Sequence, residues 1–87
     1  MESIFIVGLE GKVKTINIEK VRMNNYTIKE LKSQVFIICG IEVDAQRLIY
    51  TTKDLEVQRN GKELTLSDYG IHGNCNIMLV VRLPGDT

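Results

Sequence analysis

One stretch of the chain, residues 27–40, carries the start signal, the periodicity and the stop signal of an α-helix. Thr27 can cap the amino terminus, and Glu30 follows it at the spacing of a capping box. Gly40 is well placed to end the helix, because glycine adopts the left-handed conformation at low cost. One stripe at helical spacing is apolar and consists of Ile28, Leu31, Val35, Ile38 and Cys39. The sequence therefore predicts a helix over residues 28–39 that buries this stripe against another layer.

Most of the remaining chain carries strand patterns, so the layer beside the helix is predicted to be a sheet. Short apolar runs bounded by turn residues occupy residues 4–7, 12–18, 46–50 and 77–81. Asn60-Gly61 lies between two further short runs and is the strongest short-range hairpin signal. Eleven isoleucines and eight valines against a single alanine also favour strands. The sequence therefore predicts an α+β fold in which a sheet packs on one helix.

Length and charge limit the function classes. The chain has 87 residues, which is enough for one domain. Its 11 basic residues balance 11 acidic ones, which argues against a nucleic-acid binder and against a polybasic segment that binds a membrane surface. No apolar run is long enough to span a membrane, and the amino terminus lacks the pattern of a signal peptide. We therefore expect a monomer in the cytoplasm or the nucleus, without nucleic-acid or membrane partners.

Residues with catalytic or metal-binding chemistry are few. Cys39 falls on the apolar helix stripe and is expected in the core as a reduced thiol. Cys75 follows His72 by three residues in a predicted turn, but a thiol protease also needs an orienting group and a pocket. These three residues fall one short of the four ligands of a structural zinc site and lack its spacing. We expect no catalytic residue, no metal ion and no cofactor.

Two strand patterns break the alternation that a sheet covered on one face should show. The strand at 77–81 is apolar on both faces, because Met78 and Val80 stand between the residues that suit the core. Ile49 breaks the preceding strand pattern in the same way, and Leu9 is an apolar residue at a turn. If the strands are neighbours, these four side chains cluster on the open face, and contiguous exposed apolar surface marks a binding site. The alternatives are that the chain itself covers them or that they are scattered singly.

Three motifs, taken together and in this order, resemble the ubiquitin family, and the resemblance covers nearly the whole chain. They are Gln-Arg-Leu-Ile-Tyr at 46–50, Leu-Ser-Asp-Tyr at 66–69 and Leu-Val-Val-Arg-Leu at 79–83. The implied fold is the β-grasp, a mixed sheet of four to five strands packed on one α-helix. The family's core positions are filled here by Ile4, Ile6, Ile16, Ile18, Ile28, Leu31, Val35, Leu48, Leu55, Leu66, Ile71, Ile77 and Leu79. Lys14 departs from the pattern, because its position is apolar in the family.

The resemblance also implies a partner-binding surface, an apolar patch with a basic rim. Leu9, Ile49 and Val80 match its three aliphatic members, and Met78 stands where the family has a histidine. The rim positions are matched by Arg47, Lys53 and Arg82. Methionine is flexible and polarisable, which suits an adaptable binding surface. We therefore expect protein partners, namely ubiquitin-receptor helices, proteasome subunits or ligase components.

The tail departs from the conjugated members of the family, which finish on two glycines that are joined to a target lysine. Residues 82–87 contain one glycine, Gly85, and Pro84 restricts the tail and the residue before it. We therefore expect a ubiquitin-like domain at 1–83 and the start of a linker at 84–87, as the amino-terminal module of a larger ligase, shuttle or deubiquitinase. The alternative is a modifier conjugated through Gly85 after processing.

A second departure is a longer loop at 57–64, which is either an ordered hairpin or a mobile surface loop. Phe36 and Ile37, late in the helix, are apolar where the family is polar. With Asn60 and Gly61 at the loop tip they form a candidate secondary surface. Phe36 and Ile37 either pack on the longer loop, dock on another part of the parent protein, or are tolerated as exposed residues. In the second case the domain has a scaffold role, with the apolar patch used within the parent chain.

Overall fold

A computed structural model describes residues 1–8 and 11–82 of the chain. In chain order the main elements are β1 Glu2–Val7, β2 Val13–Ile18, α1 Ile28–Cys39, β3 Gln46–Tyr50, β4 Lys53–Asp54, β5 Gln58–Arg59, β6 Lys62–Glu63 and β7 Asn76–Val81. Short 3-10 helices cover Lys20–Asn25, Val43–Ala45 and Ser67–Tyr69. Within the described ranges, no helix is long and apolar enough to cross a membrane.

Five of the strands form one mixed sheet in the order β2-β1-β7-β3-β4. β1 and β7 run parallel, with Ile6 opposite Ile77, and the other neighbouring pairs are antiparallel. β1 and β2 form the hairpin that the two amino-terminal apolar runs predict. The predicted fold class is confirmed, because a five-stranded mixed sheet packs on one main helix in a β-grasp-like α+β arrangement.

The helix begins and ends where the sequence predicts. Thr27 Oγ1 accepts a hydrogen bond from the Glu30 N–H at 3.0 Å, and Glu30 Oε1 accepts one from the Thr27 N–H at 3.2 Å. This reciprocal capping box satisfies two amide groups that a helix start otherwise leaves without partners. At the other end Gly40 has a φ of 73°, and its N–H donates to the Phe36 carbonyl at 2.8 Å. A side chain at that φ is strained, so glycine stops the helix there.

The core lies between α1 and one face of the sheet. All thirteen core positions that the family resemblance implies are buried, and Ile4, Ile6, Ile28, Leu31 and Leu66 have no measurable exposure. Four further residues join the core without having been predicted, and they are Met23, Tyr26, Leu64 and Cys75. The prediction that the whole helix stripe is buried is wrong at its end, because Ile38 and Cys39 lie in the last turn of α1 and are only partly buried at the edge of this core. Lys14 is exposed, which agrees with its departure from the family pattern.

One buried polar side chain holds the helix to the sheet. Gln46 is 5% exposed, and its Nε2 donates to the Lys32 carbonyl at 2.8 Å and to the Ile41 carbonyl at 3.0 Å. The Lys32 ammonium donates in return to the Gln46 backbone carbonyl at 3.4 Å, and burial lowers the pKa of this ammonium. The Gln46 side chain therefore joins three segments, namely α1, the chain after it and β3.

The longer loop forms an ordered arm, the β5–β6 hairpin. Asn60 and Gly61 have φ values of 52° and 80°, the left-handed pair that a two-residue type I′ turn requires. The base of the arm is fixed by the Leu64 N–H, which donates to the Val57 carbonyl at 2.9 Å. Leu64 is 8% exposed, so the arm buries an apolar side chain in the core. Of the two alternatives for this loop, the ordered hairpin is the one observed.

Candidate interaction surface

The helix covers only one face of the sheet. Ile4 and Ile6 of β1 are buried beneath α1. Because side chains alternate along a strand, Phe5 and Val7 lie on the opposite, open face. The same alternation places Met78 and Val80 on the open face, between the buried side chains of β7.

Four apolar side chains cross the open face in a line, one from each of four neighbouring strands. Val13 is opposite Val7, Val7 is opposite Met78, and Met78 is opposite Ile49. We call Val13, Val7, Met78 and Ile49 the cross-strand row. Adjacent strands are about 4.8 Å apart, so the row is roughly 14 Å long. Val13 and Met78 are 55% and 54% exposed, and the other two members are half-buried.

The structure brings together three of the four predicted patch residues. Ile49 and Met78 are direct cross-strand neighbours. Val80 lies two residues after Met78 in β7, on the same face, and is opposite Arg47. Leu9 lies outside the described residues. The two members of the row that the sequence did not single out are Val7 and Val13.

Of the predicted basic rim, Arg47 lies beside the row, on the same face as Val80. Its guanidinium forms a bidentate ion pair with Asp54, with Nε to Oδ1 at 2.9 Å and the second contact at 3.1 Å. This hydrogen-bonded pair lowers the pKa of Asp54 and raises the pKa of Arg47. The carboxylate of Asp54 therefore balances the positive charge of Arg47.

The other two predicted rim residues lie on different sides of the sheet. Arg82 directly follows β7 and continues the spacing of two residues that Met78 and Val80 show on the open face. It is exposed, and its N–H donates to the Ala45 carbonyl at 2.6 Å. Lys53 pairs with Tyr50, whose side chain packs against the core, so Lys53 has the register of the helix-covered face. The strand register therefore places Arg47 and Arg82 on the open face of the sheet, and it places Lys53 on the other face.

The residues of the candidate secondary surface are all exposed. Ile37 is 69% exposed and Phe36 is 41% exposed, so neither is buried beneath the β5–β6 arm. Asn60 and Gly61 form the tip of that arm. The helix pair and the arm tip are thus two separate features of the fold, one on α1 and one on the hairpin.

The two cysteines are free thiols, and Cys75 has polar side chains next to its sulfur. Its Sγ lies 3.3 Å from Tyr50 Oη and 3.8 Å from His72 Nδ1, and the residue is 8% exposed. The hydrogen bond with Cys75 raises the pKa of Tyr50. A buried thiol lacks the access that a reactive cysteine needs. Across residues 1–8 and 11–82, no group of three or more His, Cys, Asp or Glu side chains is arranged to hold a metal ion.

A comparison with protein-family models agrees with this arrangement. The model described as the ubiquitin family matches residues 4–84. The match extends over most of the chain and includes all four members of the cross-strand row.

Proposed function

Because the chain belongs to the ubiquitin family, we propose that it is a non-catalytic protein-interaction domain of the ubiquitin–proteasome system. The observation that carries this proposal is the cross-strand row, which leaves Met78 and Val13 about half exposed on the open face. Water contact with such a row is unfavourable, and a partner that covers it gains the free energy of burying apolar surface. The proposed binding surface consists of this row together with Val80.

The shape of the surface favours a helical partner. The row is narrow and roughly 14 Å long, close to the length of nine residues of an α-helix at 1.5 Å each. An amphipathic helix presents an apolar stripe of this length, with polar residues on both sides. Arg82, which follows Val80 beyond the end of β7, then favours an acidic residue on the flank of the helix. The partners we propose are ubiquitin-receptor helices, proteasome subunits or ligase components.

The cellular setting follows from the same proposal. Ubiquitin receptors and proteasomes act in the cytoplasm and the nucleus, so we place the domain there, as a monomer. We propose that it is the amino-terminal module of a larger ligase, shuttle or deubiquitinase, with residues 84–87 as the start of a linker. Pro84 and the single Gly85 support this role over that of a conjugated modifier, because proline restricts an extended tail.

The test is a titration of the isotope-labelled chain with a ubiquitin-receptor helix, followed by NMR. We expect shifts centred on Ile49, Met78 and Val80. Ile49→Ala should weaken binding by about 1–3 kcal/mol, which is roughly 5- to 150-fold, because a central aliphatic anchor dominates such interfaces. Ile37→Ala is the matched control, since it removes the same atoms from an exposed isoleucine on α1.

Two further variants keep the test decisive. Met78→Glu places a charge in the row at a position that is already 54% exposed, so it should abolish binding without unfolding the domain. Urea unfolding of each variant checks that the fold is retained. Shifts confined to α1 or the β5–β6 arm, or equal affinities for Ile49→Ala and Ile37→Ala, would refute the proposed surface. ATP-dependent covalent adducts that disappear in Gly85→Ala would instead identify a modifier.

A further inference from the structure

The outer face of α1, which points away from the core, carries a four-residue site that a side chain of another helix can fill. Ser33, Phe36, Ile37 and Gly40 have the spacing i, i+3, i+4 and i+7, so they are neighbours on one side of the helix. Four residues that surround one point in this way form the hole that receives a knob in helix–helix packing. Phe36 and Ile37 are exposed and form the apolar sides of this site. We call these four residues the helix hole.

The other two members, Ser33 and Gly40, leave the centre of the helix hole open. The Ser33 hydroxyl donates to the Lys29 carbonyl at 3.1 Å, so its hydrogen bond is made within the helix. The space above Gly40 is empty, because a β-carbon placed there would meet no atom beyond its neighbours in the chain within 4 Å. The distance between packed helices is set by the side chains at the contact, so small residues let a partner helix approach closely.

The carboxyl end of the helix hole is acidic. The last turn of α1 contains no basic side chain, so no cation from that turn faces the partial negative charge of the terminal carbonyls. Glu42 follows two residues after Gly40, is exposed, and takes part in no ion pair within residues 1–8 and 11–82. Lys32, the last lysine of the helix, donates to a carbonyl of β3 and interacts with Asp44 instead. A cation of a partner is therefore favoured at this end.

We infer that α1 binds an amphipathic helix of a partner protein, with an aliphatic side chain of that helix in the helix hole and a lysine or arginine beside Glu42. A second copy of this chain is a poorer occupant. Each copy offers only two partly exposed apolar side chains here, Phe36 and Ile37, far less than the about 1,200 Å² that a stable interface buries. A partner helix with a longer apolar stripe supplies contact that a second copy lacks.

The helix hole and the cross-strand row lie on opposite sides of the domain, because α1 covers the face of the sheet that the row does not occupy. The two sites also differ in the charge that they favour, since Arg82 near the row attracts an acidic flank and Glu42 attracts a basic one. The inference therefore does not depend on the proposed function, and the domain is able to hold two partners at once.

The experiment uses the full isotope-labelled chain and a synthetic amphipathic helical peptide with a leucine stripe flanked by arginines. We expect NMR shifts at the helix hole, with little change at Met78. A peptide with the same stripe flanked by glutamates is the charge control and should bind α1 about tenfold more weakly. Added salt should narrow this difference, because salt screens exposed charges.

Variants at exposed positions of α1 test the shape of the helix hole without disturbing the core. Ser33→Gln fills the hole with a longer side chain and should weaken binding about tenfold, because the knob no longer fits. Ser33→Ala keeps the hole open and should change binding by less than about twofold. Ile37→Glu places a charge on the apolar side of the hole and should abolish binding. Urea unfolding of each variant checks that the fold is retained.

Two charge reversals test the acidic end. Glu42→Lys should weaken binding of the arginine-flanked peptide about tenfold and strengthen binding of the glutamate-flanked peptide. Glu63→Lys makes the same change at an exposed position of β6, away from α1, and should leave both affinities unchanged.

The outcomes that overturn the inference are distinct. Shifts confined to the cross-strand row, or no shift at millimolar peptide, would refute a site on α1. Equal binding by Ser33→Gln and the wild type would refute the knob-in-hole geometry, and equal binding of the two peptides would refute the charge argument. Concentration-dependent dimerisation without peptide that Ile37→Glu removes would identify a second copy as the occupant. Ile49→Ala should leave this binding unchanged, so failure here and failure of the proposed function are distinguishable.

Discussion

Replacement of Gln46 by alanine should destabilise the domain more than any other single polar substitution in β3. The change removes the hydrogen bonds from Nε2 to the Lys32 and Ile41 carbonyls, at 2.8 and 3.0 Å. Each such bond contributes about 0.5–1.5 kcal/mol net, and a buried carbonyl left without a partner costs more. We therefore expect a loss of about 2–4 kcal/mol, a large share of the 5–15 kcal/mol typical of a domain.

Gln46→Glu tests the same contact with a side chain of nearly the same shape. It replaces the donor group by a carboxylate oxygen that faces two carbonyl oxygens, so at pH 7 it should cost more than Gln46→Ala. Burial and these carbonyls should raise the pKa of the new carboxyl in the folded state above the unfolded value of about 4.3. The destabilisation should therefore develop as the pH rises above that value, and it should shrink in acid, where the protonated carboxyl donates one hydrogen bond.

Urea unfolding followed by circular dichroism at pH 7 and at pH 4 measures both effects. Gln58→Ala, an exposed glutamine in β5, is the matched control and should change stability by less than about 0.5 kcal/mol. The difference between Gln46→Glu and the wild type should be smaller at pH 4 than at pH 7. Equal stability of Gln46→Glu and the wild type at pH 7 would show that Gln46 does not join the helix to the sheet as described.

Three other predictions concern the helix cap, an ion pair and the row. Thr27→Ala should lower stability by about 1 kcal/mol in urea unfolding, because it removes the acceptor of the capping box, whereas Thr27→Ser should retain most of it. Arg47→Ala should raise the pKa of Asp54 in an NMR titration. The pair stabilises the fold above the unfolded pKa of about 3.9 and loses this effect as the pH falls through the lower folded pKa. Met78→His should make receptor binding weaker at pH 5.5 than at pH 7.5, whereas the wild type and Met78→Leu should not respond, since only the variant row holds a side chain that titrates in this range.

The helix was predictable to the residue because its signals are local. Thr27, Glu30 and Gly40 act within one turn of the helix ends, and their effect depends little on the rest of the chain. The hairpin at Asn60-Gly61 was predictable for the same reason, since a type I′ turn is specified by the two residues that adopt it. The core residues followed from the family resemblance, which supplies the positions that periodicity alone leaves open.

The full cross-strand row was not predictable, because it depends on how distant strands align. Val7 and Val13 belong to the first hairpin. The alternation of side chains along these two strands shows only that both residues lie on the same face. The parallel register of β1 on β7 then places Val7 beside Met78, seventy-one residues away in the chain. The ion pair of Arg47 with Asp54 likewise depends on the tight turn between β3 and β4, which no motif in the sequence specifies.

The distribution of polar groups confines the apolar surface of the open face to one end of the first hairpin. At the far end of the β1–β2 pair, Ser3 is opposite Asn17, and the Ser3 hydroxyl donates to Asn17 Oδ1 at 3.0 Å. These side chains satisfy each other and offer little apolar area to a partner. The row lies at the other end of the same strands, where Val7 and Val13 replace that polar pair. A partner helix that lies along the row is therefore confined to one end of the sheet, and polar substitutions in the row should affect its binding more than equal substitutions at Ser3 or Asn17.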